Sequence, residues 1–233
     1  MNKRFLLSMI VTVGLTLFLA VVALDLADLL AGPGWTPDGD GFYGLDIVQW
    51  LLLFMPVYCL ELWNCESVLN RSYLYVHRYQ KIRRWWLTVY GRLVFETVVL
   101  YLLMGVCMRL LVWHHWTGQM TVSLFLVTVH AVFCLAFSIW IRLVSGNMIF
   151  ASVLMILLEV MAKIVIVTRI TTPAYSLFSW GMYYYSVQNY GTGGFWLVPA
   201  MTIQFCVIFS LIILVYGRGK ALLLRRISDG KVH

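Results

Sequence analysis

Charged side chains are scarce in this sequence. Only 12% of its 233 residues are Asp, Glu, Lys or Arg, and 62% are hydrophobic. Soluble domains carry about 25% charged and roughly 45–50% apolar residues. A chain of this length needs polar residues to cover its outer surface when its solvent is water. The composition therefore excludes an ordinary soluble domain and indicates that lipid solvates most of the chain.

The sequence patterns of several enzyme and metal-site classes are also missing. The chain has no GxxxxGK[ST] phosphate loop, no GxSxG or HExxH motif and no CxxC pair. We therefore expect no catalytic residues, no bound metal and no cofactor on this chain. Its cysteines lie in or near apolar segments, which argues against a disulfide framework. They are Cys59, Cys65, Cys107, Cys134 and Cys206. A membrane enzyme acting on lipid stays as an alternative, with Glu96, Glu159 and the histidines as its candidate groups.

Six apolar blocks are long enough to cross a bilayer, which takes about 20 residues of helix. The blocks cover residues 5–24, 47–63, 93–113, 120–141, 148–167 and 195–216. They are continuous and lack the alternation of barrel strands. The first is longer than the apolar core of a signal peptide, so we expect it to be retained. We predict an all-α integral membrane protein in which residues 1–233 form one domain of six transmembrane helices.

Basic residues are distributed unevenly between the loops. Fourteen of the 17 Lys and Arg residues lie before the first block, between the second and third, after the fourth or after the sixth. The loop at 25–46, on the other side, holds five aspartates and no cation. Because cations favour the cytoplasmic side, we predict a multi-pass plasma-membrane protein with both termini in the cytoplasm. An anionic inner leaflet accounts for the net charge of +7, so we expect lipid and not nucleic acid as a partner.

Residues 70–86, between the second and third blocks, mix aromatic and basic side chains. On a helix, the aromatic and aliphatic residues share one face and the basic residues another. The first set is Tyr75, Tyr79, Ile82 and Trp86, and the second is Arg78, Lys81 and Arg84. Such an amphipathic segment lies in the headgroup layer, with Trp85 and Trp86 in the aromatic belt, or docks on a cytoplasmic partner. Periodicity alone favours the surface anchor.

Charged residues also stand inside the predicted spans. Glu159 and Lys163 are four residues apart with the acid first, the favourable order for an intrahelical pair. A charge at the bilayer centre costs at least about 2.5–3.5 kcal/mol, so it should face protein or water. The two residues line a pathway or contact a second subunit, or they neutralise each other with Lys163 extending outward. We expect Glu96 to pair with Arg92, and His130 to be a hydrogen-bonded packing residue.

The stretch at 171–194, before the last block, is aromatic, polar and interrupted by Pro173 and several glycines. Irregular backbone at membrane depth is tolerated only where it is buried in protein or faces water. We expect short interfacial or re-entrant helices here. Tyr183, Tyr184 and Tyr185 are candidates for an outer gate, and a Tyr/Trp interface belt is the alternative.

In layout the sequence resembles the permease subunits of type-two ABC exporters. The shared features are six spans, two cytoplasmic ends, a basic-aromatic segment after the second span and a re-entrant-like outer stretch. The run VHRYQKIRRWW at 76–86 is similar to one in small Firmicute permeases encoded beside antimicrobial-peptide export or immunity systems. The layout covers nearly the whole chain, whereas the local run covers residues 76–86 alone.

The resemblance implies a dimer of identical or related permease subunits, driven by separate ABC ATP-binding subunits that hold ATP and Mg²⁺. It implies that the segment after the second span docks on the ATPase. The residues given this role are Tyr75, Arg78, Tyr79, Lys81, Arg83 and Arg84. The implied cargo is hydrophobic or a peptide. The alternative is a stand-alone membrane immunity or accessory protein that binds a toxic peptide without ATP.

Overall fold

The computed structural model describes residues 3–22, 44–74, 82–111, 117–167 and 203–217. Within these ranges the backbone is helical apart from residue 117 and the break at 146–147, and it contains no strand. The helices are α1 (Lys3–Val22), α2 (Gly44–Leu74), α3 (Ile82–Leu111), α4 (Gly118–Ser145), α5 (Met148–Val167) and α6 (Ile203–Gly217). The prediction of an all-α fold is confirmed for these residues.

Three helical stretches are long and apolar enough to cross a membrane: Trp50–Arg71, Arg84–Leu111 and Gly118–Ser145. Two further apolar stretches are shorter, Met148–Ala162 and Ile203–Gly217. Large apolar side chains cover the outside of the bundle, and several are more than half exposed. Examples are Phe18, Phe95, Leu110, Ile149 and Val215. Soluble proteins rarely expose so much contiguous apolar surface, so these helices fit a membrane protein.

Helices α2 and α3 are longer than the apolar blocks predicted for them. Helix α2 has 31 residues and ends at Leu74, and α3 has 30 residues and begins at Ile82. Hydropathy detects only the lipid-facing part of a helix, whereas backbone hydrogen bonding continues through polar residues as well. Residues 75–81 separate the two helices. Arg83 and Arg84, predicted within the amphipathic segment, lie in the first turn of α3.

A tight turn joins α4 to α5. Gly146 adopts a left-handed conformation, with φ of 76°, and its N–H donates to the carbonyl of Arg142 at 2.8 Å. Glycine adopts this conformation without the steric penalty of a side chain. Asn147 then caps α5, since its Oδ1 accepts from the backbone N–H of Ile149 at 2.8 Å. The turn fixes α4 and α5 as antiparallel neighbours, which pack along their length.

Helix α1 packs on α2 and α3 through a face of small polar residues. Ser8, Thr12 and Thr16 are four residues apart and fully buried. Ser8 and Thr16 donate their hydroxyl groups to backbone carbonyls one turn earlier. Such small residues let neighbouring membrane helices approach closely.

Helix α6 packs against α4 through aromatic side chains. Phe209 of α6 lies edge-on to the rings of Phe133, Phe137 and Trp140, with ring centroids 5.3–6.0 Å apart. This edge-to-face arrangement is a favourable geometry for aromatic pairs. It holds α6 against the face of α4 that also borders α3.

Trp85 and Trp86, near the start of α3, are enclosed by the bundle. They are only 2% and 1% exposed, so the prediction that both lie in a lipid-facing aromatic belt is wrong. The indole N–H of Trp86 donates to the carbonyl of Ile213 in α6 at 2.9 Å. Gly217 leaves room for this ring, because a Cβ there would lie 2.2 Å from Cε2 of Trp86. Trp86 therefore joins α6 to α3.

Candidate functional site in the bundle interior

Three carboxylates are buried inside the helices. Glu61, Glu96 and Glu159 are 4%, 6% and 0% exposed, and each stands near the midpoint of its helix. A charged group at such a depth costs at least about 2.5–3.5 kcal/mol unless protein groups compensate it. Glu159 is enclosed by protein, one of the two surroundings expected for it. The partners of the three carboxylates therefore define the polar interior of the bundle.

One polar cluster, the Glu61/Glu96 cluster, joins α2 to α3. Thr97 donates its hydroxyl to Oε1 of Glu61 at 2.7 Å. Asn64 donates its side-chain N–H to Oε2 of Glu96, whose Oε1 accepts from Nε of Arg92 at 2.8 Å. The predicted Arg92–Glu96 ion pair is thus confirmed. Oε2 of Glu61 has no hydrogen-bond partner within the part of the chain that the structure describes.

A second cluster, the His130 cluster, joins α4 to α5. His130 and Cys134 are one turn apart on α4, and Glu159 faces them from α5. Nε2 of His130 lies 2.6 Å from Oε1 of Glu159. The sulfur of Cys134 lies 3.5 Å from Nε2 of His130 and 3.4 Å from Oε1 of Glu159. All three side chains are fully buried. The expectation that His130 is hydrogen-bonded is confirmed, with Glu159 as its partner.

Two tyrosines stand between the clusters. The Tyr58 hydroxyl donates to the carbonyl of Cys134 at 3.3 Å and is also hydrogen-bonded to the hydroxyl of Ser138. Tyr101 is fully buried beside Phe54, with ring centroids 6.0 Å apart. Buried polar side chains thus occur on α2, α3, α4 and α5, within a core that is otherwise apolar.

Apolar rings close this interior around the His130 cluster. On α2, the rings of Trp50, Phe54 and Tyr58 form a stack, with centroids 5.1 and 5.5 Å apart. The Phe54 ring also lies 5.6 Å from the imidazole of His130. Such rings exclude water from the cluster and lower the local dielectric, which strengthens every polar contact inside it.

In the His130 cluster the thiol and the carboxylate approach the same nitrogen of the imidazole, and this limits the chemistry that the cluster can perform. In a nucleophile–base–acid relay, the thiol and the carboxylate occupy opposite nitrogens of the imidazole. Here both approach Nε2, and Nδ1 has no hydrogen-bond partner among the described residues. The three donor atoms lie within 4.8 Å of one another. This arrangement does not fit a catalytic relay, but it fits groups that share a proton or a cation.

The other residues predicted from the sequence fall mostly outside the described part of the chain. That is true of Tyr75, Arg78, Tyr79 and Lys81, of the outer tyrosines Tyr183, Tyr184 and Tyr185, and of the side chains of Arg83 and Lys163. The Arg84 side chain is exposed at the start of α3. The roles given to these residues stay predictions.

The His130 cluster was not predicted as a unit. Its signal in the sequence is the HxxxC spacing of His130 and Cys134, which puts both side chains on one face of a helix. The third member stands 25 residues beyond Cys134 on the next helix. Only the rotation of α5 against α4 decides that Glu159 faces the pair.

An apolar groove opens on the side of the bundle between α3, α4 and α6. Its volume is about 610 Å³, and most of its lining is aliphatic or aromatic. Leu102, Phe125 and Val207 contribute one wall each from the three helices. A groove of this size accommodates the side chains of a hydrophobic segment.

Comparisons with known proteins give no assignment. No protein-family model, no curated protein and no solved structure matches the chain.

Proposed function

We propose that the chain is the membrane-spanning subunit of an ATP-driven exporter of the type-two ABC class. It crosses the plasma membrane six times with both ends in the cytoplasm. A second permease subunit completes the membrane part, and separate ATP-binding subunits carry ATP and Mg²⁺. The cargo is hydrophobic or a peptide. The basic-aromatic segment between α2 and α3 is the docking site for the ATPase.

The observation that carries this proposal is a set of links at the ends of α2 and α3 that flank the docking segment. Near the end of α2, Asn70 accepts a hydrogen bond from Arg142 of α4 at 2.6 Å. Near the start of α3, Trp86 donates to Ile213 of α6 at 2.9 Å. One turn further along, the hydroxyl groups of Tyr90 and Ser210 are 2.6 Å apart. In the proposed transporter, a push on the segment at 75–81 would pass to α4 through α2 and to α6 through α3.

The apolar groove supports the choice of cargo. It lies between α3, α4 and α6, so two of its walls belong to the helices that these links would move. Most side chains around it are apolar, which suits a substrate that reaches the protein from the hydrocarbon layer rather than from water.

The same groove favours one alternative. A stand-alone immunity or accessory protein would hold a toxic hydrophobic peptide in the membrane and need no ATPase. Protection of cells against such a peptide separates the two functions. The transporter loses protection when the neighbouring ATPase gene is deleted, whereas the stand-alone protein keeps it.

Purification of the chain from its native membranes tests the proposal. We expect an ATP-binding subunit to be recovered with it, and ATP hydrolysis to depend on both proteins. In the variant Arg78→Ala/Lys81→Ala we expect the ATPase to be lost from the preparation, because both cations lie in the proposed docking segment.

The matched control is Arg225→Ala/Arg226→Ala, which removes the same charge on the same predicted side of the membrane but outside that segment. It should retain the ATPase. Recovery of the chain without any ATP-binding partner, or equal loss in both double variants, would contradict the proposal.

A further inference from the structure

We propose that His130, Cys134 and Glu159 form a binding site for a divalent transition-metal ion of the zinc class. The site lies inside the bundle between α4 and α5, and no residue of the docking segment takes part in it. It therefore stands or falls independently of the ATP-driven function.

The distances in the cluster are close to those that a tetrahedral ion requires. Zinc lies about 2.3 Å from a Cys sulfur and about 2.0–2.2 Å from His nitrogen or carboxylate oxygen, so tetrahedral angles separate two donors by about 3.4–3.6 Å. The Cys134 sulfur is 3.5 Å from Nε2 of His130 and 3.4 Å from Oε1 of Glu159. The two distances from the sulfur therefore already fit a tetrahedral ion. Only the distance from Nε2 of His130 to Oε1 of Glu159, now 2.6 Å, has to increase, by roughly 0.8 Å.

Charge balance in the low dielectric also favours a divalent ion. A thiolate, a carboxylate and a neutral imidazole carry two negative charges, which a divalent cation neutralises. Metal coordination is one of the ways in which buried charges are compensated. All three donors are fully buried, and a tetrahedral ion held by three protein ligands takes a water molecule as its fourth ligand.

The identity of the donors selects the class of metal. Nitrogen and sulfur donors together suit zinc, whereas magnesium and calcium prefer shells of oxygen. Binding releases the Cys134 thiol proton, because the thiolate is the ligand form. Because Nε2 is the ligand atom, the neutral imidazole of the metal-bound form carries its proton on Nδ1, which has no hydrogen-bond partner among the described residues.

Metal analysis of the intact chain tests the site. The protein is produced in medium supplemented with Zn²⁺ or Co²⁺, purified in detergent and measured for bound metal. We expect one ion per chain, and for Co²⁺ an absorption band from charge transfer between thiolate and metal. Because the donors are enclosed, we expect the ion to resist removal by a chelator until the protein unfolds.

Two ligand variants and one control give the result its specificity. In Cys134→Ser we expect the charge-transfer band to disappear and metal affinity to fall by more than about tenfold, the loss typical even of groups outside the first coordination shell. Glu159→Gln, which keeps the shape of the side chain, should weaken binding to a similar extent. Cys65→Ser removes another fully buried cysteine from α2 and should leave both the band and the stoichiometry unchanged.

Metal analysis of the unsubstituted protein tests the proposal by itself, so the test does not depend on whether the variants fold. Absence of the charge-transfer band in the Co²⁺-grown parent would overturn it. Metal binding that persists unchanged in Cys134→Ser would overturn it as well, because the ion would then lie elsewhere.

Discussion

Single polar residues inside apolar helices organise the interior of this protein. Glu61, Glu96 and Glu159 are each enclosed, and each finds a partner on a neighbouring helix: Thr97, Asn64 and His130. Because an uncompensated charge in hydrocarbon is costly, these contacts fix which helix faces meet. The polar residues therefore help to specify the packing of helices whose outer surfaces are mostly apolar.

At this scale, removal of the amide of Asn64 should destabilise the fold. Asn64→Leu leaves Oε2 of Glu96 without its donor in a buried place, which costs about 1–3 kcal/mol. Unfolding in detergent by heat or denaturant measures this loss. Asn70→Leu, which removes an exposed amide bonded to Arg142, is the control and should cost less than about 1 kcal/mol. Equal losses in the two variants would contradict the compensating role of Asn64.

Tyr58→Phe tests the link between α2 and α4. The substitution removes the hydroxyl group that bonds Ser138 and the Cys134 carbonyl and keeps the ring in its aromatic stack. We expect a loss of about 0.6–1.5 kcal/mol, the range for one hydrogen bond between membrane helices or inside a protein. Tyr216→Phe, at a half-exposed position of α6, should have no measurable effect on the same unfolding transition.

At the scale of helices, α2 and α3 extend past the apolar blocks, and the added turns of α3 also pack against a neighbouring helix. Trp86 belongs to the first two turns of α3 and lies against α6, whose last residue is Gly217. The contact needs the absence of a side chain at Gly217, because a Cβ there would overlap the indole. The start of α3 and the end of α6 are thus held together by shape as well as by a hydrogen bond.

Gly217→Ala should disrupt this contact. The added methyl would lie 2.2–2.5 Å from three atoms of a buried ring, and overpacking of this kind costs about 1–3 kcal/mol. The change is visible as a lower unfolding temperature and a shift in tryptophan fluorescence. Gly91→Ala on α3, where no heavy atom lies within 4 Å of the new Cβ, should be neutral or stabilising by up to about 1 kcal/mol. A larger loss for Gly91→Ala than for Gly217→Ala would contradict the assigned contact.

The sequence predicted the helices better than their ends or their contacts. The fifth apolar block begins where α5 begins, at residue 148, because the turn at Gly146 ends the preceding helix. The start of α3 was missed by 11 residues, since hydropathy falls where the helix leaves the lipid while its hydrogen bonding continues. The meeting of His130 with Glu159 was missed because it depends on the relative rotation of two helices, which periodicity on a single helix does not determine.

At the scale of the whole molecule, the bundle has a polar interior, an apolar exterior and one end at which several basic residues meet. Arg71 and Arg142 lie in the last turns of α2 and α4, and Arg84 lies at the start of α3. The hydrogen bond between Asn70 and Arg142 draws two of these helix ends together. This end is where the proposed ATPase would dock, and where its force would enter α4 and α6.

The most direct test of the proposed function is a photo-crosslink from the docking segment. A photoreactive amino acid at position 79, in the segment between α2 and α3, should capture an ATP-binding subunit in native membranes. The same residue at position 115, between α3 and α4 on the predicted outer side, should not. Capture of an ATP-binding protein from position 79 alone is the predicted result. Capture from position 115 instead, or from neither position in membranes that contain the neighbouring gene products, would contradict the account.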